Sequence, residues 1–291
     1  MLSRAELVTH ARDSIARGSQ SFAAASKLFD TPTRERAWLL YAWCRKCDDI
    51  ADGQEHGGAL SNDGDAAGRL ARIRTLTDKA LAGEESGDPA FDAFGVVARE
   101  CHIPREYAED LIAGFALDAD DWRPQTTEDL IRYCYHVAGV VGKMMALVMG
   151  VTSDDEETLA HACDLGYAFQ LANIARDVRE DAEAGRCYLP QDWLNEVGAT
   201  AAFEPHKFAP LGQRLADMAA TYEASARVGA RKLPFRARWA VLAAAGIYGD
   251  IAREVARRGE HAWDARVVTS KWAKLGWVAR SFITALGWAL R

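Results

Sequence analysis

No run of eighteen apolar residues occurs anywhere in the 291-residue chain, so nothing in it reads as a membrane-spanning helix. The N-terminus lacks a basic region followed by an apolar core, and a secretory signal is not expected. Proline is scarce, at eight residues, and no segment alternates polar and apolar side chains as a half-buried strand does, which argues against a sheet fold. No G-x-G-x-x-G follows a strand pattern, so a Rossmann-type nicotinamide site is not expected. Positive charge is in deficit, with a formal net charge of -7 and no basic stripe interleaved with aromatics in the body of the chain, which speaks against nucleic-acid binding. The six cysteines are scattered. Cys44-x-x-Cys47 has no second CxxC or His pair to complete a zinc site, and all six are expected as free thiols in a reduced, cytoplasmic protein.

What is present is a chain with 49% hydrophobic residues and 26% charged ones, rich in alanine and long enough for a sizeable core. No linker rich in Pro, Gly and Ser divides it. The reading is all-α, with residues 1–291 as a single domain and the Gly/Asp-rich patch from Asp52 to Gly68 as a loop between helices. Helices are expected over Ser3–Gly18, Thr33–Asp52, Ala66–Ala82, Asp88–Cys101, Arg105–Asp120, Thr126–Met149, Asp164–Ala184, Gln213–Lys232 and Ala237–Arg258.

Two of these carry chemistry. In LGYAFQLANIARDVREDAEAGRCYLP, Gln170, Asn173, Asp177 and Asp181 fall at spacings of three, four and four, which stacks them on one helix face. Ala168, Leu171, Ala172, Ile174, Ala175 and Val178 make the rest of that helix apolar, so the carboxylates need a partner. Mg²⁺ suits such a site, because it takes a few carboxylate oxygens, several waters and substrate phosphates. In YAWCRKCDDIAD, Tyr41, Arg45, Asp48 and Asp52 are spaced four, three and four. Arg45 reads either as an intrahelical ion pair with Asp48 and Asp49 or as a forked donor to a diphosphate. A single acidic motif of this kind is as readily a solvated face; two on otherwise apolar helices point to metal and diphosphate binding.

DDIAD, YHVAGVVG at Tyr135 to Gly142, QLANIARDVRED and GRCYLP together resemble the squalene/phytoene synthase family, and within it most closely the bacterial phytoene-forming branch. The resemblance runs from SQSF near the N-terminus to the region of Arg266. It implies a class I isoprenoid synthase bundle around a central cavity. The implied reaction is head-to-head condensation of two isoprenoid diphosphates (two geranylgeranyl diphosphates in the phytoene-forming branch) through a cyclopropyl diphosphate to a C40 triene, as in carotenoid biosynthesis. Alternatives are a C30 enzyme of the dehydrosqualene, squalene or hydroxysqualene type acting on farnesyl diphosphate, and a non-catalytic relative with eroded motifs.

By the same resemblance Asp48, Asp52, Asn173, Asp177 and Asp181 hold Mg²⁺, with Mn²⁺ as a substitute. Arg45, Arg176 and Arg266 supply fixed positive charge, and Ser19, Ser21, Tyr41, Tyr135, Gln170, Asn173 and Tyr248 contact substrate. Tyr188 aims at the reaction centre or closes the bundle as a buried ring. Released diphosphate, Tyr41 and Tyr248 are open candidates for the proton acceptor. Ser19 on residue pattern alone is a helix N-cap, His136 a core histidine, and Gly139 and Gly142 are sites of close packing that the family motif places beside the isoprenoid tunnel.

The last segment, from residue 264 onward, is a candidate amphipathic helix. Ala265 to Arg291 has no acidic residue and carries Arg266, Lys271, Lys274, Arg280 and Arg291 with Trp272, Trp277 and Trp288. Leu275, Val278, Ala279, Phe282, Leu286 and Leu290 form an apolar stripe. That stripe either packs as the last helix of the bundle or lies on the inner face of a membrane. Handover of a hydrocarbon product to a downstream carotenoid desaturase belongs to the same reading.

Overall fold

A computed structural model of the chain describes residues 2–53, 65–120 and 122–290, apart from the side chains of residues 20, 21 and 24. Most of the expected Asp52–Gly68 loop and the Ser21 side chain lie outside the described residues. Among the described residues there is no strand, and the all-α expectation holds. The backbone divides into two compact units: residues 1–120 with 144–155, and residues 121–143 with 156–291.

In the first unit, α1 (Arg4–Gly18) starts at a capping box in which Ser3 and Glu6 satisfy each other's backbone. The short α2 (Gln20–Ser26) leads to α3 (Thr31–Ala51), where Asp30 accepts the N–H of Thr33 and Pro32 occupies the first turn. α4 (Ala66–Ala82), α5 (Pro89–Cys101) and α6 (Arg105–Ala119) complete the layer. Its core is dense. Trp43 stacks on Phe94 at 3.8 Å, and the Trp43 indole N–H reaches Thr77. A Cβ on Gly95 would lie 2.4 Å from the Ala80 carbonyl oxygen, so glycine is what lets α5 touch α4.

The second unit opens with α7 (Thr127–Cys134), capped by Thr126 and Asp129. One continuous helix over Thr126–Met149 is expected from the sequence. Instead, a π-helical segment, Tyr135–Gly139, separates α7 from α8 (Val140–Val148). Such a wide turn inserts one residue into the helical register and is common at functional sites. Around it Gly142 lies against the Ala162 carbonyl and Gly166 against that of Ala138, where a Cβ would come within 2.2 and 2.3 Å. Gly142 of the family motif and Gly166 of the facing helix therefore let two backbones touch, while Gly139 makes room for the Cys163 and Tyr167 side chains. The facing helix is α9 (Glu156–Glu183), 28 residues long, which begins eight residues earlier than expected.

α10 (Gln191–Glu196), α11 (Pro205–Gly229), α12 (Phe235–Arg258) and α13 (Lys271–Ala289) follow. The core here gathers Leu171, Ile174, Trp193, Phe208, Leu215 and Trp263. All six cysteines are free, and burial pushes the Cys44 thiol up to about 12, with Asp48 adding to the effect. A thiol held protonated to that degree is a packing group, not a ligand or a redox centre.

Candidate active site

Each unit supplies one acidic helix end. In the first, the end of α3 carries Asp48 and Asp49, and Asp52 is its C-cap residue, with no basic side chain in the last turn. Carboxylates there face the negative pole of the helix dipole, the least favourable place for them. Arg45 bridges two of them, Nη1 at 3.0 Å from Asp48 and Nη2 at 2.7 Å from Asp49. The intrahelical ion pair is thus formed, and Asp49, only 4% exposed, is the buried anchor that fixes the guanidinium. Outside the helix, Arg69 donates to the Ala51 carbonyl at the same end.

One arginine does not neutralise this cluster. The Asp48 carboxyl is pushed up to about 6, first by burial and then by Asp52, with Arg45 opposing and Asp49 and Asp118 adding. Its side chain nevertheless keeps 45% of its surface, so an ion can reach it. Tyr41, one turn before Arg45, packs edge-on to Phe22, and its hydroxyl sits so close to Gly18 that a Cβ there would be 2.3 Å away. Burial raises the Tyr41 phenol, with Arg45 opposing, which keeps its O–H protonated at neutral pH. Ser19 follows Gly18 directly, so the structure brings Ser19, Tyr41, Arg45, Asp48 and Asp52 of this unit into one neighbourhood. The Ser19 hydroxyl accepts the N–H of Phe22 at 3.2 Å, the N-cap role that its residue pattern predicts.

In the second unit, α9 also ends in acid, with Asp177, Glu180, Asp181 and Glu183 and no basic residue in the last turn. Here one cation comes from α9 itself and a second from a distant segment. Arg176 grips Asp177 with its Nε 2.7 Å from Oδ1, and Arg266 reaches the same oxygen at 2.9 Å while its other amino group lies 3.2 Å from Glu180. Sequence reasoning gives Asp177 to the metal and both arginines to the diphosphate; in the structure the three residues are one another's partners. Trp263 helps deliver Arg266 three residues later, since its indole N–H donates to the Ala175 carbonyl at 2.9 Å. Tyr248 of α12 stacks on Phe169 of α9 at 4.1 Å, and burial raises its phenol against the pull of Arg176. Phe169 carries no polar signal in the sequence and is recognisable only once Tyr248 is seen lying on it.

Gln170 and Asn173 lie on α9 half-buried, on the turns preceding Asp177. Tyr188 stacks on Tyr133 at 4.9 Å, and Tyr133 on Trp122 at 5.8 Å, so its ring takes the bundle-closing role. It also lines a small cavity with Asp181, Arg186 and Phe208. Tyr135, on the π-helical segment, lies edge-on to His136 and under the Lys143 ammonium at 5.4 Å.

Among the described residues, no group of three or more acidic, His or Cys side chains stands ready to hold a metal ion. The residues still fit one in chemistry. Both helices concentrate carboxylates at the dipole end that repels them, and Asp48 is held against its tendency to ionise, which is the setting that a hard divalent cation relieves.

An all-helical protein with paired aspartates on two separate helices has the form of an isoprenoid synthase. The solved structure of a dehydrosqualene synthase in complex with ligand matches at a TM-score of 0.85 and 25% identity, over 98% of each chain. The family model for squalene/phytoene synthase matches residues 15–273, and the chain belongs to that family. It is 48% identical over 281 residues to a phytoene synthase of Pseudescherichia vulneris, covering 94% of this chain and 90% of the relative. It is 44% identical over 292 residues to a 15-cis-phytoene synthase of Paracoccus sp. (strain N81106 / MBIC 01143), covering 97% and 95%.

Proposed function

We propose that this chain is a prenyltransferase that condenses two geranylgeranyl diphosphates head to head to phytoene, through a cyclopropyl (prephytoene) diphosphate. The observation that carries this reading is the 48% identity to a phytoene synthase over nearly the whole chain. One family model spans residues from both compact units, which supports treating 1–291 as a single isoprenoid synthase domain whose two acidic helix ends serve one reaction.

Asp48, Asp52, Asn173, Asp177 and Asp181 would hold the divalent cation, Mg²⁺ with Mn²⁺ as substitute. Such a cation supplies the positive charge that lets an allylic diphosphate depart. Arg45, Arg176 and Arg266 bind diphosphate oxygens by exchanging carboxylate partners for phosphate ones, a swap between similar charge-assisted hydrogen bonds. Ser19, Ser21, Gln170 and Tyr135 complete the substrate contacts. In the first half-reaction one diphosphate leaves, the second substrate's double bond closes the cyclopropane, and a proton is lost. In the second half-reaction the remaining diphosphate leaves, the ring opens, and a second proton is lost. Tyr41 and Tyr248, both raised, serve as O–H donors to diphosphate, which leaves the released diphosphate as the proton acceptor. Apolar and aromatic side chains keep the cation dry. The C40 product passes to a membrane or to a carotenoid desaturase.

The test is incubation of purified protein with Mg²⁺ and either geranylgeranyl or farnesyl diphosphate, followed by organic extraction. A C40 triene from the first alone is expected. A C30 product from the second would keep the site and overturn the substrate length, and no product from either would overturn catalysis.

A further inference from the structure

Among the described residues two carboxylates are buried, Asp49 and Glu223, and only Asp49 serves an acidic helix end. Glu223, on α11, is 6% exposed. A buried carboxylate costs stability unless it is paired and hydrogen-bonded, and Glu223 meets that condition on both oxygens. Its Oε1 accepts Nε and Nη2 of Arg227 at 3.0 and 2.6 Å, one turn along the same helix. Its Oε2 accepts Nη1 of Arg253, from α12, at 2.8 Å. The same Oε2 lies against the α12 backbone at Gly249, where a Cβ would come within 2.1 Å of it. Glycine is what lets the carboxylate reach that backbone.

Gly249 directly follows Tyr248, and the turn of α12 that carries this tyrosine is tied to several neighbours. Arg253 reaches back to the Gly246 carbonyl at 3.2 Å and to Asp250 at 2.9 Å. Asp250 accepts the indole N–H of Trp277 from α13, whose ring fits over Gly246, where a Cβ would meet it at 2.2 Å. α13 therefore packs by its Trp277 face, and Leu275, Leu286 and Leu290, which the sequence places on the packing stripe, stay exposed. The Thr269 hydroxyl donates to the Ile247 carbonyl at 2.8 Å, which ties the segment carrying Arg266 to the same turn. On the α9 side the Tyr248 ring lies on Phe169. We infer that Glu223 is a positioning residue: by anchoring Arg253 and bearing on Gly249, it sets the turn of α12 that aims the Tyr248 O–H at diphosphate beside Arg176. The inference rests on the proposed function, which gives Tyr248 a diphosphate to meet. Glutamine would keep the shape of Glu223 but offers one acceptor oxygen and a donor, so one of the two arginines would lose its acceptor.

The experiment uses the full chain with Mg²⁺ and two readouts: turnover of geranylgeranyl diphosphate, and affinity for inorganic diphosphate by titration calorimetry. Gly249→Ala places a methyl group where the Glu223 carboxylate lies. It should lower kcat/KM and diphosphate affinity about ten-fold, the loss of a misaligned hydrogen bond to a charged group, with the far-ultraviolet circular dichroism unchanged. Glu223→Asp, added to Gly249→Ala, draws the carboxylate back by one methylene and should restore most of both. Glu223→Gln should fall by a similar factor. In a Tyr248→Phe background neither Gly249→Ala nor Glu223→Gln should cost more than about two-fold, because the hydroxyl they aim is gone. Wild-type values in both single variants, failure of Glu223→Asp to rescue Gly249→Ala, or equal losses with and without the Tyr248 hydroxyl would overturn the positioning role. A wild-type protein that neither turns over geranylgeranyl diphosphate nor binds inorganic diphosphate would overturn the proposed function, and this inference with it.

Discussion

The two acidic helix ends start from the same local problem and resolve it differently. At the end of α3 one intrahelical guanidinium bridges Asp48 and Asp49, and the Asp48 carboxyl is pushed up to about 6. At the end of α9 Asp177 is clasped by two cations, Arg176 of the same helix and Arg266 from the segment after α12. Asp48 shares an arginine with Asp49, whereas Asp177 holds two. Under the proposed function a divalent cation would meet less competition at Asp48 than at Asp177, where it would displace arginines that could then take diphosphate.

The largest expected effect treats the two ends alike. Asp48→Ala and Asp177→Ala should each lower kcat by about a thousand-fold or more with the helical spectrum unchanged, since both remove charge stabilisation of the leaving group. Full activity in either variant would break the pairing of the two ends. Arg266→Lys should cost about ten-fold in kcat/KM, because an ammonium cannot span Asp177 and Glu180 as the guanidinium fork does.

Stability should separate the ends by sign. Asp177→Asn leaves Arg176 and Arg266 without their shared carboxylate and should lower the melting temperature by several degrees, from a loss of about 2 kcal/mol. Mg²⁺ alone should raise the melting temperature more at pH 7.5 than at pH 5.5, because protons compete for Asp48 below about 6. Asp48→Asn should raise the melting temperature by about 1–3 °C at pH 7 without metal, a small gain because the side chain is 45% exposed and water screens the repulsion. That gain should shrink as the pH falls from about 6 and vanish below 3.8. A carboxyl whose folded pKa is raised costs stability wherever the unfolded chain would ionise, so the penalty is full above about 6, falls through the window down to 3.8, and is gone where both chains are protonated. From the sequence alone, relief of like-charge repulsion would apply to both aspartates; the arginine clasp confines it to Asp48. A rise in both variants, measured by thermal melts across pH, would erase the distinction.

Much of this was legible in the residues. Helix starts at Ser3, Asp88 and Thr126 follow from capping chemistry that is local, and the observed elements begin within a residue of those positions. The paired aspartates are visible as spacing. What could not be read was set by distant groups. Whether Arg266 joins Arg176 on Asp177 depends on where the segment after α12 passes. The packed face of α13 depends on Gly246 and Asp250 accepting Trp277, and apolar periodicity cannot choose between two apolar faces. The π-helical segment leaves no mark in propensity either, because it answers to the backbone of α9.

That wide turn has a consequence for how the chain tolerates changes in length. Between Cys134 and Val140 the helix holds one residue more than a plain α-helix needs, so losing a residue there would tidy the local hydrogen bonding. Keeping that residue but closing the turn as plain α-helix would instead rotate Gly142 by about 100° away from Ala162 and bring a bulkier side chain against that carbonyl. The wide turn absorbs the surplus residue and so preserves the phase of the glycine face. A single-residue deletion at Val137 should therefore leave Gly142 in register and melt close to wild type. A second residue inserted there, which the turn has no room to absorb, should lower the melting temperature; thermal melts of the two variants read the outcome directly.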